Sequence, residues 1–373
     1  MIIRSNDFER FFVYNSHMNK MKRIKYPIFL PDATRAVARS VSSDDLKDTG
    51  TPGVVVNTFH LQNDPGKEIL ENLGGVKQFM NWKGLVASDS GGFQVMSLVH
   101  AGKIAGKIVD DGVELRISKN KKEIFTPEKS IQMQFAIGSD IMFVLDDCPS
   151  NGADKNEVTK SVERTIAWAK RSRTEFDRQV KERKLTKNKK PLLFGVVQGA
   201  NWLDLREKCE KELVEIGFDG LGFGGWPVDE HNNLNEGALR LMAELAPENY
   251  WLFGLGIGKP ENVVACAKMG YDIFDCVLPT RDARHGRVYV FEDSCSLDSE
   301  GFYSYVYLSR GKYEQDLSPI ETGCDCLTCQ RYSRAYITHL FKIEDSLAWR
   351  LCTIHNLRFY ARLMEKIRLM RRG

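Results

Sequence analysis

Eight short runs of Val, Ile, Leu and Phe recur along the chain, each bounded by Gly, Pro or Asp and most followed by an amphipathic stretch. This alternation is typical of repeated βα units. Eight such units with crossover helices favour a closed parallel (β/α)8 barrel of the TIM-barrel class over an open doubly wound sheet. The predicted strands are residues 26–30, 54–56, 85–87, 141–145, 192–197, 220–223, 251–255 and 271–276.

Two segments interrupt the alternation. Residues 113–125 predict an antiparallel hairpin, with a turn around 118–121, inserted between the third and fourth strands. After about residue 291 the βα rhythm ends, which predicts a small appended subdomain with a long final helix. We therefore expect an N-terminal extension (1–25), a barrel domain (26–291) and a C-terminal subdomain (292–373). The predicted helices are residues 65–79, 127–136, 158–181, 202–216, 236–245 and 260–268.

Composition excludes several classes of protein. With 42% hydrophobic and 28% charged residues the chain predicts a globular fold with a large core, not a disordered protein. The 53 Lys and Arg nearly balance 50 Asp and Glu, so a nucleic-acid surface is neither required nor excluded; it depends on where positive charges cluster. No run has the length of a signal peptide's apolar core or of a membrane span, and we expect a cytoplasmic protein.

Polar residues follow the predicted strands at their carboxyl ends, where the loops of a βα barrel converge. Three of them are carboxylates, Asp89, Asp146 and Asp275, and one is an amide, Gln198. A single Asp in such a place often caps the next helix, but three together indicate a binding site. Carboxylates and amides can pair with ring N–H and amine groups, so the set suits a purine-like ligand. The flanking residues expected to bind it are Gly225, whose amide can approach a carbonyl oxygen, and Phe93 and Leu255, which can sandwich a flat ring.

Several carboxylates in one mouth repel one another, so one should titrate upward while another stays ionised. An ionised carboxylate can attack as a nucleophile while a protonated neighbour supplies a proton, as in retaining glycosidic chemistry. The residues thus indicate chemistry on a base or a sugar, but they do not determine which reaction takes place.

A group of cysteines near the C-terminus predicts a metal site. Cys324, Cys326 and Cys329 are followed by His355 on a predicted helix, which makes a Cys₃His set typical of closed, structural zinc sites. The odd total of nine cysteines argues against a secreted disulfide framework. His339 is an alternative fourth ligand, and Cys352 is expected to be a small buried hydrophobe.

From about residue 26 onward the chain resembles the tRNA-guanine transglycosylases of the bacterial type, the queuine tRNA-ribosyltransferase family. The resemblance rests on many ordered segments. They are NTFHL (57–61), SDSGGFQVMSL (88–98), DDC (146–148), VVQG (196–199), GGW (224–226), GIGKPENV (256–263), FDCVLPTRDARHG (274–286), CDCLTC (324–329) and YSRAYITHLFK (332–342).

The resemblance implies an irregular (β/α)8 barrel with a structural zinc subdomain, assembled as a homodimer. It implies a pentosyltransferase that exchanges guanine at the anticodon wobble position of tRNA for a 7-deazaguanine base, a step of queuosine modification. By motif position Asp275 is the nucleophile and Asp89 the general acid/base. The residues implied to bind the base are Asp146, Gln198, Gly225, Phe93, Leu255, Trp226 and Glu230, and those implied to hold the anticodon loop are Lys259, Arg281 and Arg284.

The chain departs from the family pattern in places. Residues 31–35 lack the family's usual glycine-containing turn, and Trp226 and Pro227 replace smaller residues before Glu230. The resemblance favours 7-aminomethyl-7-deazaguanine as the incoming base, with queuine and the 7-cyano precursor as alternatives. A relative that modifies deazaguanine sites in DNA, a non-catalytic partner subunit, and a zinc-stabilised barrel that binds a small molecule are the alternative functions.

Overall fold

The computed structural model describes residues 21, 24–94, 96, 105–118, 121–150, 152–229, 231–292 and 296–371. The predicted N-terminal extension lies almost entirely outside these residues. The strands, in chain order, are β1 (Ile28–Pro31), β2 (Gly53–Asn57), β3 (Leu85–Asp89), β4 (Gly106–Val109), β5 (Gly112–Ser118), β6 (Lys121–Phe125), β7 (Ile141–Phe143), β8 (Leu192–Val197), β9 (Gly220–Phe223), β10 (Trp251–Gly254), β11 (Ile273–Cys276), β12 (Arg287–Phe291) and β13 (Tyr303–Tyr307).

Most helices follow strands, as the alternation predicts. They are α1 (Ser43–Asp48), α2 (Thr58–Leu61), α3 (Lys67–Asn72), α4 (Val76–Phe79), α5 (Pro127–Ile137), α6 (Lys155–Glu182), α7 (Leu203–Ile216), α8 (Glu236–Leu245), α9 (Pro260–Met269), α10 (Leu278–Arg284), α11 (Leu327–Arg331), α12 (Arg334–Lys342) and α13 (Ser346–Met370). A π-helical turn, Gln62–Gly66, joins α2 to α3, and Gly311–Tyr313 forms a short 3₁₀ turn.

The eight predicted barrel strands form one parallel sheet in the order β1-β11-β10-β9-β8-β7-β3-β2. Its two ends meet, because Asp32, just after β1, forms a parallel bridge with Val55 of β2. The Val55 carbonyl accepts a hydrogen bond of 2.7 Å from the Ala33 amide, and the Thr34 carbonyl accepts one from Asn57. The predicted closed (β/α)8 barrel is thereby confirmed, with its ring completed by single bridges rather than a full strand pair.

The inserted hairpin is confirmed and is larger than predicted. β5 and β6 pair antiparallel, and β4 adds a third strand that the sequence reading missed. The predicted turn includes residues 119 and 120, which lie outside the described residues. Trp168 of α6 connects the barrel to the insert. Its indole N–H donates a hydrogen bond to the carbonyl of Asp110, which lies between β4 and β5.

The predicted single helix over 65–79 is wrong. The chain breaks it into α3 and α4, because Gly74 and Gly75 adopt positive φ values of 79° and 89° that no helix interior allows. At Gly75 a Cβ atom would lie 2.6 Å from the Ile137 carbonyl oxygen, so only glycine fits against the end of α5.

The C-terminal helix α13 connects the barrel to the region of the predicted metal ligands. Phe359, Tyr360 and Leu363 are buried in the main core with the barrel strands. Cys352 and Leu351, nearer its start, lie in a separate core with β12 and β13, a hairpin that the sequence reading did not predict. The domain boundaries given above stay predictions. None of the helices in the described part of the chain is both long and apolar enough to cross a membrane.

Candidate active site and metal centre

Asp89 lies at the carboxyl end of β3, held in one orientation by three donors. Its carboxylate accepts hydrogen bonds from the Asn57 side chain (2.7 Å), the Thr58 amide (3.1 Å) and the Gly91 amide (2.9 Å). Burial nevertheless raises the pKa of Asp89 to about 7, because desolvation of the charged form outweighs these hydrogen bonds. A carboxyl group with this pKa can hold or release a proton near neutral pH.

Asp275 ends β11 on the same rim. Its Oδ1 accepts a hydrogen bond of 3.0 Å from the Gly256 amide, whereas Oδ2 bonds no described residue. Burial, with a smaller contribution from the negative charges of Asp32 and Asp89, raises its pKa to about 7, and the hydrogen bond from Gly256 opposes this rise. The two carboxyl groups therefore interact within one mouth, as the strand-end pattern predicts.

Asp146 and Gln198, after β7 and β8, form a buried polar pair. The Gln198 amide donates to Asp146 Oδ2 at 2.7 Å, and the Ser90 hydroxyl lies 3.4 Å from Asp146 Oδ1. Burial raises the pKa of Asp146 to about 6. Gln198 is fully buried, and its Oε1 has no hydrogen-bond partner among the described residues. A buried unpaired amide oxygen is costly, so this atom is suited to accept an N–H from a ligand.

The loop after β9 brings Gly225 next to this pair. Gly225 has φ +84°, and a Cβ atom there would lie 3.4 Å from Gln198 Oε1. The buried guanidinium of Arg206, on α7, joins the ends of β8 and β9 by hydrogen bonds to the carbonyls of Val197 (3.1 Å) and Gly224 (3.1 Å). Arg206 was not identified from the sequence; nothing separates it there from the other charged residues of α7.

Two exposed aromatic rings lie together at this mouth. Phe93 and Trp226 have ring centroids 5.8 Å apart in an edge-to-face arrangement, and each is more than two-fifths exposed. Leu255, after β10, is half-buried and points near Gly222. A planar heterocycle is the ligand that such rings and a leucine can flank. Glu230, the remaining residue implied to bind the base, lies outside the described residues.

Basic residues lie beyond the carboxylates on α10. Arg281 is exposed, and Arg284 is half-buried with a hydrogen bond of 2.8 Å to the Thr280 carbonyl. Burial and the neighbouring charges of Arg39 and Arg281 lower the pKa of Arg284, while Asp32 opposes this. Lys259 precedes α9 at the end of the β10 loop. Arg39 is a further basic residue of this cluster that the sequence reading missed.

Asp32 is a third carboxylate beside the Asp89–Asp275 pair, and it was not identified as a site residue from the sequence. Burial raises its pKa, and Thr34, Arg39 and Arg284 oppose the rise. The signal that could have found it is the one used for the other strands, since Asp32 directly follows β1.

The predicted metal ligands come together in one buried cluster. Nδ1 of His355 lies 3.8, 3.7 and 3.3 Å from the sulfur atoms of Cys324, Cys326 and Cys329, and the four ligand atoms lie within 4.8 Å of one another. Zn–S bonds of about 2.3 Å and Zn–N bonds of about 2.1 Å place tetrahedral ligands about 3.5 to 3.8 Å apart, which fits this spacing. Nε2 of His355 lies 2.7 Å from the Tyr289 carbonyl oxygen, and this contact fixes the orientation of the imidazole ring with Nδ1 toward the cysteines. His339 is not part of the cluster.

The chain is similar to known proteins over most of its length. A family model described as Queuine tRNA-ribosyltransferase matches residues 15–370. A Queuine tRNA-ribosyltransferase of Thermoanaerobacter pseudethanolicus is 41% identical over 346 residues, which cover 92% of this chain and 86% of the relative. One of Staphylococcus aureus is 40% identical over 343 residues, which cover 92% and 84%.

Proposed function

The chain belongs to the queuine tRNA-ribosyltransferase family, a family of pentosyltransferases, and on this basis we propose that it replaces guanine at the wobble position of a tRNA anticodon by a 7-deazaguanine base, as a step of queuosine modification. The observation that carries the proposal is the pair Asp89 and Asp275, two interacting carboxyl groups with pKa values of about 7 at one barrel mouth.

Asp275 acts as the nucleophile. Its Oδ2, which bonds no described residue, attacks C1′ of the ribose while the Gly256 amide holds Oδ1. The bond between C1′ and the base nitrogen breaks with its electron pair going to guanine, and a sugar ester on Asp275 results. This step requires Asp275 to be ionised.

Asp89 supplies and recovers the proton. In its neutral form it donates to the departing guanine, which leaves uncharged. The incoming base then returns a proton to Asp89 as its ring nitrogen attacks C1′, and the bond to Asp275 breaks. Three hydrogen bonds stabilise the charged form of Asp89 between these steps.

Asp146, Gln198 and the Gly225 amide recognise the base edge, while Phe93, Trp226 and Leu255 flank its faces. The unpaired Gln198 Oε1 supports this assignment, because a purine amine can satisfy it. Outside the base pocket, Lys259, Arg281 and Arg284 hold the anticodon loop through its phosphates.

We favour 7-aminomethyl-7-deazaguanine as the incoming base. A cationic substituent is suited to a mouth that holds several carboxylates, and Glu230 is the family position proposed to pair with it. Competition of this base, queuine and the 7-cyano analogue against labelled guanine would rank the three. Tighter inhibition by queuine than by the aminomethyl base would contradict the preference.

The metal cluster holds one structural zinc ion per chain. All four positions of a tetrahedral ion are taken by protein atoms, so no position is open for a reacting water. When bound, zinc stabilises the C-terminal region, and the reaction uses only the barrel residues. Homodimerisation and a cytoplasmic location stay predictions.

Labelled-guanine exchange tests the proposal. Incorporation into an unmodified tRNA, lost when the wobble guanosine is replaced, is the expected result. Denaturing electrophoresis should also detect a covalent RNA complex that is absent in Asp275→Asn. Exchange into duplex DNA but not tRNA would support the DNA-modifying alternative, and no exchange into either would support a non-catalytic role.

A further inference from the structure

Asp32 has no role in the proposed mechanism, yet its position on the barrel rim is close to both reacting carboxylates. β1 pairs with β11 so that Leu30 lies opposite Asp275. Asp32 comes two residues after Leu30, and alternate residues of a strand point to the same face. Its side chain is therefore expected on the same face as that of Leu30. On its other side Asp32 bridges Val55 of β2.

The electrostatic effects of Asp32 also indicate that it lies near both reacting carboxyl groups. Its negative charge raises the pKa of both Asp89 and Asp275, after the larger effect of their burial. Arg39 and Arg284 are the basic groups whose charges act on Asp32. The carboxylate thus interacts both with the reacting pair and with the basic residues proposed to hold the RNA phosphates.

The Asp32 carboxylate keeps acceptor capacity for a ligand, because its protein donors come from Thr34 alone among the described residues. Oδ1 accepts a hydrogen bond of 2.5 Å from the Thr34 hydroxyl. Within the described ranges no other side chain donates to Asp32. The Thr34 backbone N–H also donates to this carboxylate, so both donors come from one residue. The carboxylate is half-buried and has lost part of its hydration, and its two oxygens still have lone pairs for a hydroxyl of a ligand.

The order of strands assigns the two parts of a bound nucleotide to different sides of the mouth. The base-reading residues follow β7, β8 and β9, whereas β11 carries Asp275 and its next neighbour is β1. A nucleotide whose base lies over β7 to β9 and whose C1′ faces Asp275 extends its ribose toward β1. The 2′-hydroxyl is on the carbon bonded to C1′, so it is the ribose donor nearest the reacting atom.

We propose that Asp32 binds the 2′-hydroxyl of the target nucleotide and so makes the reaction selective for RNA, an inference that rests on the proposed function. A 2′-hydroxyl is the group by which a protein distinguishes RNA from DNA at a single site. A hydrogen bond from the neighbouring hydroxyl to a carboxylate also strengthens as positive charge develops at C1′ in a glycosidic transition state.

The test uses anticodon stem-loops of RNA that differ only in having guanosine or 2′-deoxyguanosine at the exchanged position. We expect the wild-type protein to prefer the ribose substrate in kcat/KM. Asp32→Ala should reduce this preference by about 10- to 100-fold, the range for a hydrogen bond to a charged group. Asp32→Asn, which keeps an acceptor oxygen, should retain part of the preference.

Asp48→Ala is the matched control, since Asp48 is an exposed carboxylate on the same N-terminal part of the barrel. It should keep the wild-type preference. An unchanged preference in Asp32→Ala, an equal loss on both substrates, or no preference in the wild type would overturn the inference. In contrast, failure of the wild type to exchange guanine in the all-ribose stem-loop would overturn the proposed function itself.

Discussion

At Asp275 the fold buries a carboxylate that the proposed reaction needs in its ionised form. Burial and the neighbouring acids favour the neutral form, while one backbone amide favours the charged one. Asp89 has three donors and the same raised pKa of about 7. A single proton can therefore be shared between two sites of nearly equal affinity, which is the protonation state that attack and proton donation require together.

The activity should follow a bell-shaped pH profile centred near pH 7. Below this pH both carboxyl groups hold protons and Asp275 cannot attack, whereas above it both lose them and Asp89 cannot donate. Measurement of kcat/KM for guanine exchange between pH 5 and 9 would check this. A profile flat across that range would contradict the shared-proton interpretation.

Asp275→Asn should abolish exchange and stabilise the fold at alkaline pH. We expect activity to fall at least about a thousandfold, because the proposed nucleophile is lost. An Asp with a raised pKa in the native state binds its proton from about pH 4 to 7, where the unfolded chain has lost it. Native stability therefore decreases as pH rises through this window, and the neutral Asn avoids the loss.

Thermal unfolding of both proteins at pH 5 and pH 8 measures this effect. The melting temperature of Asp275→Asn should exceed that of the wild type at pH 8, with a smaller difference at pH 5. Asp48→Asn removes an exposed carboxylate and should show no such gain. A variant that is less stable at pH 8 would show that the Asp275 charge is compensated in the native state.

At the scale of elements, the period of the hydrophobic pattern predicts the barrel well and the irregular additions poorly. β8 and β9 have the predicted bounds, since continuous apolar runs between turn residues mark strands buried on both faces. β4, with exposed and half-buried residues, has no such run, and the β12–β13 hairpin packs on α13 rather than in a repeated unit. Their positions depend on contacts that are distant in sequence.

The same distinction applies to the site. The positions of Asp89, Asp146, Gln198 and Asp275 could be predicted because each lies at or just after the carboxyl end of a recognisable strand. Arg206 could not, because its role comes from burial within α7 against two loops, which no local pattern shows.

Arg206→Met should weaken base binding while the fold persists. The guanidinium joins the carbonyls of Val197, Ala200 and Gly224, so its loss frees the loops that position Gln198 and Gly225. We expect the KM for guanine to rise about tenfold or more, the cost of losing hydrogen bonds from a buried charged group, with a smaller change in the KM for tRNA. Exchange kinetics with each substrate varied in turn would measure both.

Arg240→Met is the control, because Arg240 is an exposed arginine of α8 whose guanidinium lies 3.8 Å from the Glu236 carboxylate on the same helix. It should leave both constants unchanged. Equal increases in the two KM values of Arg206→Met would indicate general loosening of the barrel instead of a base-pocket effect.

At the scale of the whole molecule, the metal cluster is linked to the helix that carries Arg281 and Arg284. His355 contacts the Tyr289 carbonyl, and the Tyr289 hydroxyl donates to Asp282 of α10. Asn356, the residue after His355, is fully buried and donates to the Pro279 carbonyl at 3.0 Å. A metal ion bound at one end of this network would therefore restrain α10 at the other.

Loss of the metal should lower stability and tRNA affinity more than base affinity. Cys329→Ser removes a thiolate, so the metal content should fall below one per chain, and the melting temperature should fall with it. Because α10 loses its support, we expect the KM for tRNA to rise several-fold. Guanine binding, which we propose to depend on β7 to β9, should change little. Metal analysis, thermal unfolding and binding of labelled guanine measure the three effects separately.

Cys352→Ala tests whether the effect belongs to the metal ligands. Cys352 lies one turn before His355 on α13 and is buried, but it is not among the four grouped residues. It should retain the metal and the tRNA KM, with only the modest destabilisation of a small core truncation. If Cys329→Ser lost its metal and kept a wild-type KM for tRNA, α10 would be positioned by the barrel alone, and the link through Tyr289 and Asn356 would be structural without any influence on RNA binding.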